Sequence, residues 1–112
     1  ATVDFTVANP DPFAAEFTEK FTEKYGVEPE NMAGCYYDAA LVAIDAIRRA
    51  AESGEVTRAS VWEALKNTTT PITGNQGQLY LGDNGMDFIH QVVIIQNENN
   101  TPVYQLTVAE KE

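Results

Sequence analysis

The residue types that most often carry out covalent chemistry are scarce in this sequence. It has one cysteine, Cys35, and one histidine, His90, so a thiol nucleophile would have a single possible imidazole base. Nucleophilic catalysis needs that base within hydrogen-bond reach and a further group to orient it. The sequence shows no such set, so we predict a protein that is not an enzyme. We interpret Cys35 as a buried thiol or one that faces a ligand cleft, and His90 as a structural histidine.

Patterns that would hold a metal ion or a phosphate are incomplete. Residues 83–87 begin like a calcium loop, but a loop starting at Asp83 needs glutamate at its twelfth position, which is Ile94 here. One cysteine and one histidine cannot complete a structural zinc site. The glycines of residues 74–77 lack the Gly-Lys-Ser/Thr sequence of a phosphate loop. We therefore predict no metal and no cofactor, and we interpret residues 82–85 as a turn between strands.

The bulk properties limit the partners of the chain. Its 112 residues are enough for one small domain with a modest core. The net charge of −10 repels nucleic-acid backbones and anionic lipid, so neither is expected as a partner. A single cysteine cannot form an internal disulfide, which leaves oxidising and reducing compartments both open.

Three helices are expected after a short strand at residues 2–7. Aromatic residues at every fourth position from Phe13 to Tyr25 predict a first helix with an aromatic inner face, ended by Gly26. A second helix is expected from about Met32 to Glu52, and a third is expected to begin at Thr57. The apolar stripe of the second helix, which we expect to be buried, consists of Tyr37, Ala40, Leu41, Ile44 and Ile47. We expect Asp45 and Arg49 to form an exposed i,i+4 pair.

The rest of the chain is expected to form strands, at residues 78–81, 89–96 and 103–108. The continuous apolar run at residues 92–95 is typical of a strand that is buried on both faces. One strand, three helices and three strands form an α+β arrangement when the chain is considered by itself.

Several motifs, taken in order, carry a family resemblance. They are the aromatic helix and Tyr25-Gly26 turn that lead to Pro29, the Tyr37-Asp38-Ala39 helix, the Ala64-Leu65 helix end, the glycine-bounded strand and Asn-Gly turn of residues 74–85, and the valine-rich strand of residues 92–96. In this order they resemble the last third of a type I periplasmic solute-binding protein, the family of the leucine-isoleucine-valine receptors of ABC transporters. One departure is that Leu81-Gly82-Asp83 stands where the family usually has phenylalanine and aspartate.

The resemblance implies part of an α/β fold in which two lobes close on a ligand. Residues 1–80 would be a partial lobe, residues 81–87 a hinge, and residues 88–112 strands that cross to the second lobe. The residues expected to face the ligand cleft are Asn31, Met32, Cys35 and Tyr36. A flexible thioether at Met32 would suit an apolar ligand.

The function that the resemblance implies is capture of an amino acid or similar small solute and its delivery to the membrane permease of an ABC transporter. The protein would be periplasmic or extracellular, with its signal peptide outside this chain. A sensory or regulatory domain of the same fold, or a self-contained α+β interaction module, are the alternatives. By itself the chain would present half a cleft and uncovered strands, so we expect weak ligand binding and a homo-oligomer.

Overall fold

The computed structural model of the chain describes residues 1–85 and 87–109, and its helices precede most of its strands. The elements in chain order are β1 (Thr2–Val3), α1 (Pro12–Tyr25), α2 (Asn31–Ser53), α3 (Arg58–Lys66), β2 (Ile72–Gly74), β3 (Gly77–Leu81), β4 (Phe88–Ile89), β5 (Gln91–Glu98) and β6 (Thr101–Ala109). Within the described residues, none of the helices has both the length and the apolar character that crossing a membrane would require.

Helix α1 begins and ends where local chemistry predicts. The Asp11 carboxylate accepts hydrogen bonds from the backbone N–H groups of Phe13 and Ala14, at 3.0 and 3.2 Å, which satisfies two donors that the helix cannot pair itself. Gly26 ends the helix in the left-handed region, with φ of 73°. The start and end predicted for this helix are therefore confirmed.

The buried face of α2 is not the apolar stripe expected from the sequence. Tyr37, Ile44 and Ile47 are 44%, 62% and 46% exposed, so the prediction that this stripe is buried within the chain was wrong. The buried residues of α2 are Gly34, Asp38, Ala46 and Ala50. Helix α3 packs on α2, whose buried alanines lie beyond its midpoint, and small side chains permit close approach of two helices.

Arg49 is the second correction on α2, because it lies against α3 instead of pointing into solvent. Its guanidinium donates to the Ala64 carbonyl oxygen at 2.7 Å and to Thr68 Oγ1 at 2.7 Å. It also donates to the Asp45 carboxylate at 2.8 Å, and the Asp45 side chain is only 20% exposed. The expected ion pair is present, but it belongs to the α2–α3 interface.

The strands form two small antiparallel sheets, ordered β1-β5-β6 and β2-β3-β4. Strands β5 and β6 form a hairpin in which Glu98 pairs with Thr101, and the two residues between them, Asn99 and Asn100, both have positive φ. Strands β2 and β4 were not expected from the sequence. The remaining strands, β1, β3, β5 and β6, overlap the four strands expected from the sequence, although β1 is shorter than predicted.

Strand β5 is the central strand of its sheet, since it pairs with β6 on one side and with β1 on the other. Thr2 pairs with Ile94 and Val3 with Val93. Of the apolar run at residues 92–95 only Val93 is buried, so the expectation of burial on both faces holds for one residue only. The division into residues 1–80, 81–87 and 88–112 stays a prediction. Met86, within the expected hinge, and residues 110–112 lie outside the described residues.

Candidate ligand-binding site

The start of α2, which carries the predicted site residues, is fixed against the loop that follows β1. Asn31 Oδ1 accepts a hydrogen bond from the Phe5 backbone N–H at 2.8 Å. The Phe5 ring, 1% exposed, lies so close to Gly34 that a Cβ atom there would be 2.3 Å from Phe5 Cγ. Glycine is therefore required at this point of the helix. Asn31 anchors the start of α2, because its side-chain amide oxygen already accepts the hydrogen bond from Phe5.

Met32 and Tyr36 lie one helical turn apart on a solvent-facing side of α2. Their side chains are 53% and 69% exposed, which is high for large apolar or aromatic groups. Tyr36 lines an open groove of about 440 Å³ between α1 and α2. The groove is lined by Phe17, Lys20, Phe21, Lys24, Tyr25, Ala33, Tyr36 and Tyr37. Both side chains are thus free to contact a molecule that approaches this end of the helix.

Cys35 faces a different space from Met32 and Tyr36. It lines a cavity of about 260 Å³ between α2 and the β2-β3-β4 sheet, together with Asp38, Ala39, Val42, Gln76, Leu79, Phe88 and His90. Burial raises the pKa of the Cys35 thiol, and the negative charges of Asp4 and Asp38 raise it further. The thiol is therefore protonated at neutral pH and is a weak nucleophile.

The cavity brings Cys35 and His90 to the same space, which sequence reasoning did not foresee. His90 Nδ1 lies 3.1 Å from the Gln91 carbonyl oxygen, a contact with its own chain neighbour. With the thiol protonated, Cys35 and His90 contribute two weakly polar groups to a mostly apolar cavity surface, and they do not form an activated nucleophile.

Asp38 is the residue of this region whose importance the sequence analysis missed. It is 2% exposed, and its two carboxylate oxygens accept hydrogen bonds from successive backbone N–H groups, Asn75 at 2.7 Å and Gln76 at 2.8 Å. Burial raises the pKa of Asp38, and these backbone hydrogen bonds partly offset that effect. The available signal was an aspartate flanked by Tyr37 and Ala39 within an otherwise apolar stretch of helix.

Close packing around Asp38 explains a second glycine. A Cβ atom at Gly74 would lie 2.7 Å from Asp38 Oδ1, so a side chain there would displace the carboxylate. The turn that follows β2 can therefore approach α2 only because residue 74 is glycine. The result is a rigid junction between α2 and the β2–β3 turn, beside the cavity that Cys35 lines.

Comparison with solved structures identifies the fold. The chain is similar to the leucine binding protein LivK of Thermotoga maritima, with 31% identity and a TM-score of 0.75 over 96% of this chain and 30% of that chain. An ABC transporter substrate-binding protein of Sphaerobacter thermophilus has 21% identity and a TM-score of 0.77, over 97% of this chain and 30% of that one. A putative branched-chain amino acid ABC transporter protein of Rhodospirillum rubrum has 24% identity and a TM-score of 0.75, over 93% and 29% of the two chains.

The sequence itself matches no protein-family model and no curated protein. The structural matches nevertheless agree with one another, and they cover nearly the whole of this chain. The chain has the fold of a segment of the type I periplasmic solute-binding proteins of ABC transporters, which confirms the family resemblance. It spans about 30% of the length of the structures it matches.

Proposed function

We propose that the chain is part of a solute-binding receptor of an ABC transporter, that it is not catalytic, and that its ligand is amino acid-like. The observation that carries the proposal is the 31% identity to a leucine binding protein over 96% of this chain. Membership of a receptor family would account for the protonated, weakly nucleophilic thiol of Cys35. It also explains why apolar and aromatic side chains, and not acids or bases, occupy the start of α2.

The fold alone does not identify the ligand. One matched structure, from Desulfitobacterium hafniense, is a complex with leucine, at 24% identity. Another, from Rhodopseudomonas palustris, is a complex with 3,4-dihydroxybenzoic acid, at 16% identity. An apolar amino acid is favoured here because Met32 and Cys35 offer soft, apolar contacts. Aromatic acids are the alternative ligand class that a binding assay must include.

We propose that Asn31, Met32, Cys35 and Tyr36 form one wall of the ligand site. Met32 and Tyr36 support this proposal because they are exposed and accessible on one side of the helix, whereas Asn31 fixes the position of that wall through Phe5. Cys35 would contact ligand only where the cavity beside α2 joins the cleft.

Calorimetry on the complete receptor that carries this segment tests the wall. Leucine, isoleucine, valine and 3,4-dihydroxybenzoate are the probes. Met32→Ala should weaken binding of the ligand that the wild type accepts by roughly tenfold, the equivalent of losing one buried apolar side chain. The melting temperature should change little, since Met32 is 53% exposed. Ile44→Ala, about three turns further along the same helix, is the control and should leave the affinity for ligand unchanged. Unchanged affinity in the Met32 variant would remove this residue from the site.

The proposed partner is a membrane permease, and the proposed location is the periplasm or the cell exterior. A sensory or regulatory domain of the same fold remains the alternative function. Permease and ATPase genes beside the receptor gene would favour transport, and uptake of radiolabelled leucine by vesicles that contain the products of such genes decides between the two functions. Transport that requires the receptor supports the proposal, and ligand binding without any transport favours the sensory domain.

The isolated chain gives a separate test of the proposed lobes and hinge. If residues 88–112 cross to another lobe at residues 81–87, this segment lacks its natural cover when it is produced alone, and self-association is expected. Strand β5 is already paired on both sides at Val93 and Ile94, so the free edge would be that of β6. Light scattering that gives a monomer of 12.3 kDa with a cooperative melt would contradict both the lobe division and self-association.

A further inference from the structure

Two sets of hydrogen bonds join α2 to the turn between β2 and β3. Asp38 accepts from the backbone N–H groups of Asn75 and Gln76, as described above. The turn donates a third hydrogen bond to α2, from Asn75 Nδ2 to the Gly34 carbonyl oxygen at 3.3 Å. Gly34 and Asp38 are one helical turn apart on α2. The turn is therefore bonded to two positions, one helical turn apart, on the face of α2 opposite Met32 and Tyr36.

The same turn is also bonded to the first residue of β5. The Gln76 carbonyl oxygen accepts a hydrogen bond from the Gln91 backbone N–H at 2.8 Å. The peptide unit on each side of Gln76 thus faces a different element, with its N–H toward Asp38 and its C=O toward Gln91. Strand β5 then continues into the β1-β5-β6 sheet. A continuous set of hydrogen bonds leads from α2, through one residue of the turn, to β5.

We propose that Asp38 is a positioning residue that fixes the ligand-facing start of α2 relative to β5, so that ligand binding at α2 and the placement of β5 are energetically coupled. The coupling to ligand rests on the proposed function. The link between α2 and β5 rests on the geometry alone.

The chemistry of the site favours positioning over simple packing. An apolar side chain would fill the space of Asp38 without a buried charge, but it would leave two backbone N–H groups unpaired. A carboxylate with both oxygens bonded to adjacent N–H groups fixes distance and orientation together. Burial raises the pKa of Asp38 and therefore opposes its ionised form, and the backbone hydrogen bonds from Asn75 and Gln76 partly offset that effect.

Amide hydrogen exchange, measured residue by residue by NMR on the complete receptor, tests the link. Asp38→Asn keeps the shape of the side chain but replaces one acceptor oxygen by an NH2 group. That group would face a backbone N–H, so two donors would meet and one hydrogen bond would be lost. Exchange at Asn75 and Gln76 should speed up by about tenfold or more, because their hydrogen bonds to the carboxylate are weakened or lost. Exchange at Gln91 should speed up with them, because its acceptor is the carbonyl oxygen of Gln76, which Asp38 no longer holds in place. Asp45→Asn is the matched control, since Asp45 is on the same helix and bonds to Arg48 and Arg49. It should leave those three amides unchanged.

The readout that a merely structural residue would not alter is the response to ligand. In the wild type, saturating leucine, or whichever of the four probes binds, should increase protection of the Gln91 amide. In Asp38→Asn the ligand should still bind, more weakly, but the added protection at Gln91 should be lost. A structural role would lower protection equally with and without ligand, and that result overturns the proposal.

Failure of the proposed function is distinguishable from failure of this inference. If none of the four probes binds the wild type, the proposed function fails, and exchange at Gln91 in the unliganded variants still decides the link. If the exchange rate of the Gln91 amide is unchanged in Asp38→Asn, the proposed link between α2 and β5 is overturned, whether or not any of the four probes binds. Should Asp38→Asn not fold, Asp38→Ser keeps a single acceptor and is measured in its place, with the same expected and contrary results.

Discussion

Arg49 offers the sharpest test of how α2 and α3 are held together. Its side chain is 30% exposed and makes hydrogen bonds to the Ala64 carbonyl oxygen, to Thr68 Oγ1 and to Asp45. Arg48, the next residue, is 68% exposed and, among the residues that the structure describes, bonds only to Asp45, at 2.9 Å. The two arginines therefore share one carboxylate, but only Arg49 reaches across to α3. Replacing each by methionine keeps most of the stem and removes the charged group.

The expected loss of stability follows from these contacts. Hydrogen bonds from a charged donor are worth about 1.5–3 kcal/mol each when buried, and less here because a third of the side chain is in water. The two bonds to α3 together should contribute about 2–3 kcal/mol. Loss of the Asp45 contact adds little, since Arg48 keeps that carboxylate paired. Arg48→Met removes an exposed ion pair worth about 0.2–1 kcal/mol.

Equilibrium urea denaturation at neutral pH measures the difference. With a slope of roughly 1–2 kcal/mol per molar urea for a small protein, Arg49→Met should lower the midpoint by on the order of 1–2 M. Arg48→Met should lower it by a few tenths of that. Equal midpoints in the two variants would refute the reasoning, because they would mean that the bonds from Arg49 to α3 contribute nothing in solution.

Three further predictions concern stability. Gly34→Ala should lower the free energy of unfolding by about 1–3 kcal/mol, since the new methyl would overlap Phe5; an unchanged melting curve would contradict that contact. Thr57→Ala should cost about 1 kcal/mol in urea denaturation, because Thr57 Oγ1 accepts from the N–H of the third helical residue of α3 at 3.0 Å. Urea midpoints measured across acidic pH should separate Asp38 from Asp45. Burial raises the pKa of Asp38 in the folded state, so its contribution makes stability fall as pH rises from the ordinary value of 3.8 through the folded pKa, and Asp38→Asn should remove that slope. Burial opposes ionisation of Asp45, but Arg49 and Arg48 outweigh it and hold the pKa of Asp45 below 3.8. The stability that ionised Asp45 contributes is therefore present above pH 3.8 and is lost as pH falls through the folded pKa. This loss should be absent in Asp45→Asn.

The helix bounds could be predicted because the signals that set them are local. For α2 the expected range, Met32 to Glu52, differs by one residue at each end from the observed Asn31–Ser53. For α1 the aromatic spacing and Gly26 are sufficient, and for α3 the hydroxyl of Thr57 is. Each signal acts within about one helical turn, so it survives without knowledge of the tertiary structure.

The inner face of α2 could not be predicted in the same way. The apolar stripe was located correctly, but which face packs within this chain depends on its neighbours in space. Helix α3 covers the face with Ala46 and Ala50, while Tyr37 and Ile44 stay exposed. Strands β2 and β4 were missed for another reason. They have three and two residues, too few for an alternating pattern to be recognised.

The candidate site was accessible from the sequence only through family resemblance, and the geometry explains why. The proposed contacts of Met32 and Tyr36 follow no spacing rule of their own, because contact with an apolar ligand needs neither a metal ligand nor a proton donor. What the structure adds is Asp38, which no ligand-centred search would select, since both of its oxygens are bonded to backbone N–H groups.

The two corrections on α2 then have a common origin in the proposed function. A helix that serves as the wall of a closing cleft must be anchored behind the ligand, which is the role that Asn31 and Asp38 fill through Phe5 and the β2–β3 turn. These polar anchors occupy the face that an isolated helix would give to apolar side chains. On the proposed function, the exposed side chains of Ile44 and Ile47 would contact the remainder of the receptor, since this chain spans about 30% of the length of the structures it matches. In this interpretation the buried aspartate and the exposed isoleucines follow from one requirement. One face of α2 must be fixed to the β2–β3 turn, and another must be covered by the rest of the receptor.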